Sequence, residues 1–169
     1  MVAHAALPMV LDADALNALA ENRRALKKLG KGKGRVLTPH PGEMARLTGK
    51  TAAAVNQDRE AIAAAAAEDW GAVVVLKGAV TVVTDGKRTF VHDQPDPTLG
   101  VGGSGDVLGG AITAFLARGL APLAAACAGV WVHGRAGALL ASEIGESGAL
   151  AMDIADALPR ALRQVLGAR

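Results

Sequence analysis

Short runs of apolar residues, each bounded by turn-forming residues, divide the chain into five predicted strands. Continuous β-branched runs of this length are typical of strands buried in a sheet. The last two runs flank Asp85-Gly86, a dipeptide that favours a tight hairpin turn. The predicted strands are residues 8–11, 36–38, 72–76, 80–84 and 88–92.

Between the strands, apolar residues recur near the 3.6-residue spacing that predicts amphipathic helices. Thr51 is a predicted helix N-cap, Gly49 and Gly71 are predicted helix ends, and Pro159 should interrupt the last helix. The predicted helices are residues 15–29, 43–47, 51–70, 103–117, 122–142 and 150–166, and residues 39–43 and 93–101 are predicted to be irregular. Strands that alternate with helices predict an α/β sheet covered on both faces.

Length and composition narrow the class of protein. The 169 residues have room for one domain, residues 1–169, and 51% of them are apolar, as in a globular fold. The formal net charge is only +2, which argues against a nucleic-acid partner. Aromatic residues make up 2% of the chain, too few for a base-stacking surface.

The single cysteine and the absence of a long apolar run suggest a location. Cys127 has no partner for an intrachain disulfide or a multi-cysteine zinc site, and we expect it to be inert core in a reducing compartment. No secretory signal is visible at the N-terminus. The uncharged stretch 119–132 contains Pro122 and is shorter than the roughly 20 residues of a membrane span. We therefore expect a cytoplasmic protein with no membrane partner, and a buried helix at this stretch.

A glycine-rich segment directly before a predicted helix is the most informative part of the sequence. Six of the eleven residues 100–110 are glycine. Glycine lets the backbone approach a ligand, and the first N–H groups of a helix point toward an anion. We interpret Gly102, Gly103, Ser104 and Gly105 as a phosphate or oxyanion cradle; the alternative is a glycine-rich packing turn. The segment matches G-x-G-x-x-G, but it follows a proline-rich loop and not a first strand, so it does not indicate a dinucleotide fold.

Asp106 follows the cradle in the first turn of the predicted helix. A carboxylate beside bound phosphate is repelled by it, so its presence there needs a chemical reason. A general base next to a transferring phosphoryl group is such a reason. The alternative is a simple partner for the helix dipole.

Other polar residues follow predicted strands, where ligands of α/β sheets bind. Lys77 is placed to meet a phosphate, with the Thr81 hydroxyl nearby, unless it is an ordinary lysine at the sheet edge. His40, between two prolines, is a candidate ligand contact or a lone structural histidine. Asp12 and Asp14 are candidates to hold Mg²⁺ through water, or else to cap the next helix.

Histidine 133, in contrast, lies within the most apolar predicted helix. Such a histidine is usually a hydrogen-bonded member of the core. We therefore predict a structural role for His133.

Five segments in one order resemble the ADP-dependent (S)-NAD(P)H-hydrate dehydratase family of the ribokinase-like superfamily. Gly-Ser-Gly-Asp alone marks the superfamily, whereas Thr-Pro-His-Pro-Gly-Glu is far more specific. The segments are residues 10–17, 37–43, 76–78 with Thr81, 102–108 and 128–134. The resemblance implies a ribokinase-like three-layer α/β/α sandwich with a mostly parallel central sheet.

The resemblance also implies an activity. Members dehydrate (S)-NADHX and (S)-NADPHX to NADH and NADPH, and they consume ADP, with Mg²⁺, to give AMP and phosphate. A phosphoryl group on the hydroxyl of the hydrate turns a poor leaving group into a good one. A homo-oligomer, often a tetramer, is also implied.

Family roles map onto individual residues of this sequence. Asp106 matches the base and a substrate contact, and His40 matches the substrate-binding histidine. Gly105 matches a contact to the AMP moiety. The nucleotide-binding stretch matches Lys77, Gly78, Ala79, Val80 and Thr81. No residue is assigned as a metal ligand, and the candidates are Asp12, Asp14 and Glu43.

The sequence departs from the family pattern in three places. Members are usually longer at the N-terminus, so the chain should correspond to the C-terminal portion of the domain. Ser104 replaces the commoner threonine, and Gly100-Val101 replaces Ala-Thr.

Two alternative functions remain: an ATP-dependent ribokinase-like kinase of a hydroxymethylpyrimidine or thiazole alcohol, and an inactive ADP-binding fragment. Such kinases usually have asparagine at the position of His40, which favours the dehydratase.

Overall fold

A five-stranded sheet forms the centre of the molecule. The computed structural model describes residues 7–31, 34–165 and 167. In space the strands follow chain order: β1 Met9–Leu11, β2 Arg35–Leu37, β3 Val73–Leu76, β4 Thr81–Thr84 and β5 Thr89–His92. Strands β1, β2 and β3 are parallel, whereas β3, β4 and β5 pair antiparallel. The predicted hairpin is therefore confirmed.

Helices cover both faces of this sheet. Five lie between the parallel strands, α1 Asp14–Glu21, α2 Arg23–Leu26, α3 Pro41–Thr48, α4 Ala52–Gln57 and α5 Arg59–Trp70, and three follow the hairpin, α6 Ser104–Ala117, α7 Pro122–Ile144 and α8 Ala151–Val165. Residues of β3 alternate between two cores: Val74 and Leu76 pack toward α1–α5, and Val73 and Val75 toward α6 and α7. This alternation produces the three layers, and the predicted α/β sandwich is confirmed.

Several predicted helix boundaries are wrong for local reasons. The helix predicted at 15–29 breaks at Asn22, whose side chain accepts a hydrogen bond from the amide of Ala25 and caps α2. The helix predicted at 51–70 breaks at Asp58, which leaves helical geometry at φ −138° and ψ 59°. Thr51 does cap α4, and Gly71 ends α5 in the left-handed conformation.

Two prolines also behave differently from the prediction. Helix α3 begins at Pro41, inside the segment predicted to be irregular, because proline is well suited to the first helical position. Helix α8 runs through Pro159 without interruption. Ile154, Ala157 and Ala161 are buried on both sides of this proline, so packing supports the helix across it. Leu166, the last residue of the predicted helix, lies outside the described residues.

Helix α7 is the central element of the second helical layer. In the part of the chain that the structure describes, α7 alone is long and apolar enough to cross a membrane by length and composition. Half of its most apolar stretch is buried within the protein, between α6, α8 and the sheet. This packing agrees with the predicted core helix.

Candidate functional site

A cavity of about 550 Å³ opens beyond the carboxyl end of β3. Its walls come from the β3–β4 connection, the proline-rich loop, the first turn of α6 and the middle of α7. Of the residues predicted to bind nucleotide or anion, Lys77, Gly78, Ala79, Thr81, Ser104 and Gly105 line it. The cavity is the right size for a small-molecule ligand.

The glycine-rich turn presents free backbone amides beside the cavity. Gly103 precedes α6 in the left-handed conformation at φ +86°, which favours glycine. Among the described residues, the amides of Gly102, Gly103 and Gly105 donate no backbone hydrogen bond. Side chains approach no closer than 4 Å to the place where a Cβ of Gly102 would lie. The turn is therefore open for an anion to reach the first amides of α6.

Lys77 lies directly against this turn. Its ammonium nitrogen is 2.8 and 2.9 Å from the two carboxylate oxygens of Asp12, and each side chain is only about 20% exposed. A Cβ on Gly105 would lie 3.4 Å from the Lys77 Nζ and 3.6 Å from the Asp12 Oδ2. Lys77 is therefore a paired lysine at the centre of the site, not an ordinary edge lysine. A side chain at position 105 would therefore lie in van der Waals contact with the pair.

The backbone around Lys77 is fixed by a residue that sequence reasoning missed. The Arg59 Nη2 donates to the carbonyl oxygens of Leu76 and Lys77, both at 2.9 Å. Burial lowers the pKa of the Arg59 guanidinium from its ordinary value. A Cβ on Gly78 would lie 2.8 Å from the Arg59 Nη2, so glycine at 78 leaves room for this arginine. Nothing in the helical pattern around position 59 signals this contact, because it spans 17 residues.

The predicted substrate-binding histidine begins helix α3. The His40 Nδ1 accepts hydrogen bonds from the amides of Gly42 and Glu43 at 3.0 and 3.3 Å, and the Glu43 carboxylate accepts from the His40 amide at 2.7 Å. In this reciprocal capping box the His40 side chain is half-exposed, and its Nε2 lies 3.6 Å from the Glu43 Oε2. The neighbouring Pro39 carbonyl accepts from the Lys77 amide at 2.8 Å. His40 thus lies at the same end of the sheet as Lys77, although it does not line the cavity.

Asp106 is exposed in the first turn of α6, one residue after Gly105. Its amide donates to the Gly103 carbonyl at 3.0 Å. No side-chain hydrogen bond or ion pair within the described ranges uses its carboxylate. Asp106 and Val80 do not line the cavity.

The three candidate magnesium ligands do not come together. Asp12 is paired with Lys77 and also accepts from the Ala13 amide at 2.8 Å, whereas Glu43 belongs to the capping box. Asp14 lies exposed in the first turn of α1, which has no side-chain cap. Within residues 7–31, 34–165 and 167, no group of three histidine, cysteine or acidic residues is placed to hold a metal. These residues alone do not fit a magnesium site.

A buried polar cluster lies behind the glycine-rich turn. The His133 Nε2 is 3.1 Å from the carbonyl oxygen of Ser104 and 3.2 Å from its hydroxyl. Burial lowers the pKa of His133 to about 4 and also lowers the pKa of His92. The Asp96 Oδ2 and the His92 Nε2 are buried against α7 without a hydrogen-bond partner in the described structure. His133 is hydrogen-bonded as predicted, but its partner Ser104 belongs to the candidate site, and no sequence pattern pointed to His92 or Asp96.

Cys127 lies closer to the beginning of α7 than this cluster does. It is half-buried and packs against the core between the sheet and α6. Burial raises the pKa of its thiol, which disfavours the reactive thiolate. This environment agrees with the predicted structural role.

Comparison with known proteins places this geometry in a family. A family model described as NAD(P)H-hydrate dehydratase matches residues 1–160. The chain belongs to the NAD(P)H-hydrate dehydratase family. The resemblance seen in the sequence motifs is therefore confirmed, as is the ribokinase-like fold class.

Individual relatives show how much of a family member this chain represents. It is 44% identical over 157 residues to the ADP-dependent (S)-NAD(P)H-hydrate dehydratase of Neisseria meningitidis, and 47% identical over 161 residues to the bifunctional NAD(P)H-hydrate repair enzyme Nnr of Moorella thermoacetica. These matches cover 91% and 94% of this chain but 53% and 30% of the relatives. The chain thus spans about half, or less, of the relatives it matches.

A solved structure in the family has the same fold. The ADP/ATP-dependent NAD(P)H-hydrate dehydratase from Bacillus subtilis, co-crystallized with ATP/Mg²⁺, superposes with a TM-score of 0.83 at 32% identity. The match covers 96% of this chain and 57% of that one. The five-stranded sheet and its helices therefore correspond to part of a family fold.

Proposed function

We propose that this chain carries the nucleotide site and the base for ADP-dependent dehydration of (S)-NADHX and (S)-NADPHX. The observation that carries the proposal is the position of Lys77, with its ammonium against Gly105 and the open amides of α6, beside the cavity. Cationic and N–H donors converging on one point favour a phosphate. The names of the relatives supply the nucleotide and the substrate.

The nucleotide phosphates would bind where Lys77 and the α6 amides converge. The Lys77 ammonium would leave Asp12 for a phosphate oxygen, and Gly102, Gly103 and Gly105 would donate backbone N–H groups. The rest of the nucleotide would occupy the cavity against Gly78, Ala79 and Thr81, with Val80 in the same stretch of chain but outside the lining. Mg²⁺ would arrive with the phosphates, because this ion is commonly held by substrate phosphates and water with few protein ligands.

The chemistry would then need a proton acceptor at the transferring group. The hydroxyl oxygen of the hydrate attacks the β-phosphorus of ADP, the bond to AMP breaks, and the hydroxyl proton passes to the Asp106 carboxylate. The C–O bond of the phosphorylated hydrate breaks next, driven by the ring nitrogen. Loss of a proton from the adjacent carbon gives the reduced nicotinamide and phosphate. His40, on the same end of the sheet, would contact the hydrated substrate.

The absorbance of the reduced nicotinamide tests this function directly. Protein mixed with (S)-NADHX, ADP and Mg²⁺ should produce a rise that depends on ADP, and Asp106→Asn should lose it. Phosphorylation of a hydroxymethylpyrimidine or thiazole alcohol with ATP would instead establish the kinase alternative. ADP binding without turnover of any substrate would identify a nucleotide-binding fragment. This alternative is tested because the chain matches only part of the length of its relatives.

We also propose that residues 1–169 act as one nucleotide-binding unit in the cytoplasm and assemble with copies of themselves. Supporting observations are the single cysteine and the exposed apolar side chains of Ile144, Leu150 and Met152. Light scattering after size-exclusion chromatography measures the oligomeric state. A monomer at all concentrations would refute the assembly.

A further inference from the structure

We infer that His133 is a positioning residue that turns the Ser104 hydroxyl into a hydrogen-bond donor for the bound phosphate. This inference rests on the proposed nucleotide site. It gives the buried histidine of α7 a role in ligand binding in addition to its place in the core.

The surroundings of His133 decide which of its two ring nitrogens carries the proton. The ring is 7% exposed, and burial holds its pKa near 4, so it is neutral at physiological pH. Its Nε2 lies 3.1 Å from the carbonyl oxygen of Ser104, which can only accept a hydrogen bond. The proton of the neutral ring therefore lies on Nε2 and not on Nδ1.

The hydroxyl of Ser104 can only accept a hydrogen bond from this nitrogen. Its oxygen is 3.2 Å from the same Nε2. Because that nitrogen carries a proton, it has no lone pair available, and the hydroxyl cannot donate to it. The hydroxyl proton must point elsewhere, and no other partner for it lies within the described residues.

The proton of the Ser104 hydroxyl is therefore left to point toward the cavity. Ser104 and His133 both line the cavity, and Ser104 lies between Gly103 and Gly105 in the amide-presenting turn. The side chain of Ser104 is 95% buried, so its hydroxyl has little access to bulk water. A phosphate at the turn would accept the hydroxyl proton in addition to the backbone N–H groups. His133 thus orients a donor in advance of binding.

Affinity for ADP, measured by titration calorimetry, tests this coupling. A neutral donor to a charged group contributes about 1.5–3 kcal/mol, or roughly 10- to 100-fold in affinity. We expect Ser104→Ala and His133→Phe each to weaken ADP binding about tenfold or more. His133→Gln, which keeps an N–H donor but does not titrate, should stay within about threefold of the parent, as should Ser104→Thr, which keeps the hydroxyl.

The double variant separates positioning from a purely structural role. If His133 acts through the hydroxyl, His133→Phe should cost less than about threefold once Ser104 is alanine. An equal loss in both backgrounds, or an unchanged affinity in the single variant, would overturn the inference. Melting temperatures of all variants show whether a loss reflects folding.

A measurement on the protein without ligand keeps the inference testable if the phenylalanine variant does not fold. Long-range ¹H–¹⁵N correlation of the imidazole resonances reports which ring nitrogen carries the proton. A protonated Nε2 is expected for His133, and a protonated Nδ1 would overturn the inference. If the parent fails to bind ADP, the proposed function falls and this role falls with it, whatever the tautomer.

Discussion

Removal of the Lys77 ammonium should damage the proposed phosphate site in two ways. Lys77→Ala deletes a charge-assisted hydrogen bond to phosphate that is worth about 1.5–3 kcal/mol. It also leaves the Asp12 carboxylate unpaired beside Gly105. A phosphate charge about 5 Å from that carboxylate is repelled by about 3 kcal/mol at an effective dielectric constant of 20, and partial exposure reduces this to about 1–2 kcal/mol.

The two effects together predict a large loss of affinity and a partial rescue. The dissociation constant for ADP should rise about 10²- to 10³-fold in Lys77→Ala. Adding Asp12→Asn to that variant removes the repulsion and should recover about tenfold. Titration calorimetry with ADP measures both steps, and Lys87→Ala, an exposed lysine on the hairpin, is the matched control that should change nothing.

Two results would contradict this reasoning. An unchanged ADP affinity in Lys77→Ala would mean that the phosphate binds elsewhere. A further loss on adding Asp12→Asn would mean that Asp12 contributes to ADP binding itself, for instance through a metal ion, and does not merely neutralise Lys77.

Three further variants test the base, the loop support and the buried histidine. Asp106→Asn should lower the dehydration rate about 10²- to 10⁴-fold while ADP affinity stays within about threefold; retained turnover would exclude the base. Arg59→Met should lower the melting temperature, because it removes the donor to two carbonyls and costs about 1–3 kcal/mol, and circular dichroism measures the shift. The depressed pKa of His133 means that the unfolded chain binds the extra proton, so stability should fall by up to about 3 kcal/mol as the pH drops from about 6.5 toward 4. In a plot of melting temperature against pH, His133→Gln should flatten the fall between about pH 6.5 and 4. The pKa of His92 is also lowered by burial, so His92 accounts for the slope that remains. A slope unchanged by His133→Gln would show that His133 is already charged in the folded protein.

Elements whose pattern is local were predictable from the sequence. The β-branched runs marked the strands, and Asp85-Gly86 marked the hairpin, because side-chain period and turn chemistry act within a few residues. Helix breaks at Asn22 and Asp58 were not, since apolar spacing continues across a one-residue break. The continuation of α8 through Pro159 depends on packing against α7, which no local pattern contains.

The same distinction separates what was predicted of the site from what was missed. The sequence placed Lys77 and Asp12 each after a strand, and parallel strands bring such ends together, but the bond between them joins residues 65 positions apart. Arg59 and His133 act through backbone carbonyls, so their roles depend on distances that residue types do not encode. The glycine-rich turn before α6 was predictable because glycine and a helix start are sufficient to form it, whereas its binding of an anion stays a prediction. In the proposed site, less visible groups hold a carbonyl, a hydroxyl and an ammonium in place around this turn. The Ser104–His133 and Lys77–Asp12 variants measure those contributions separately.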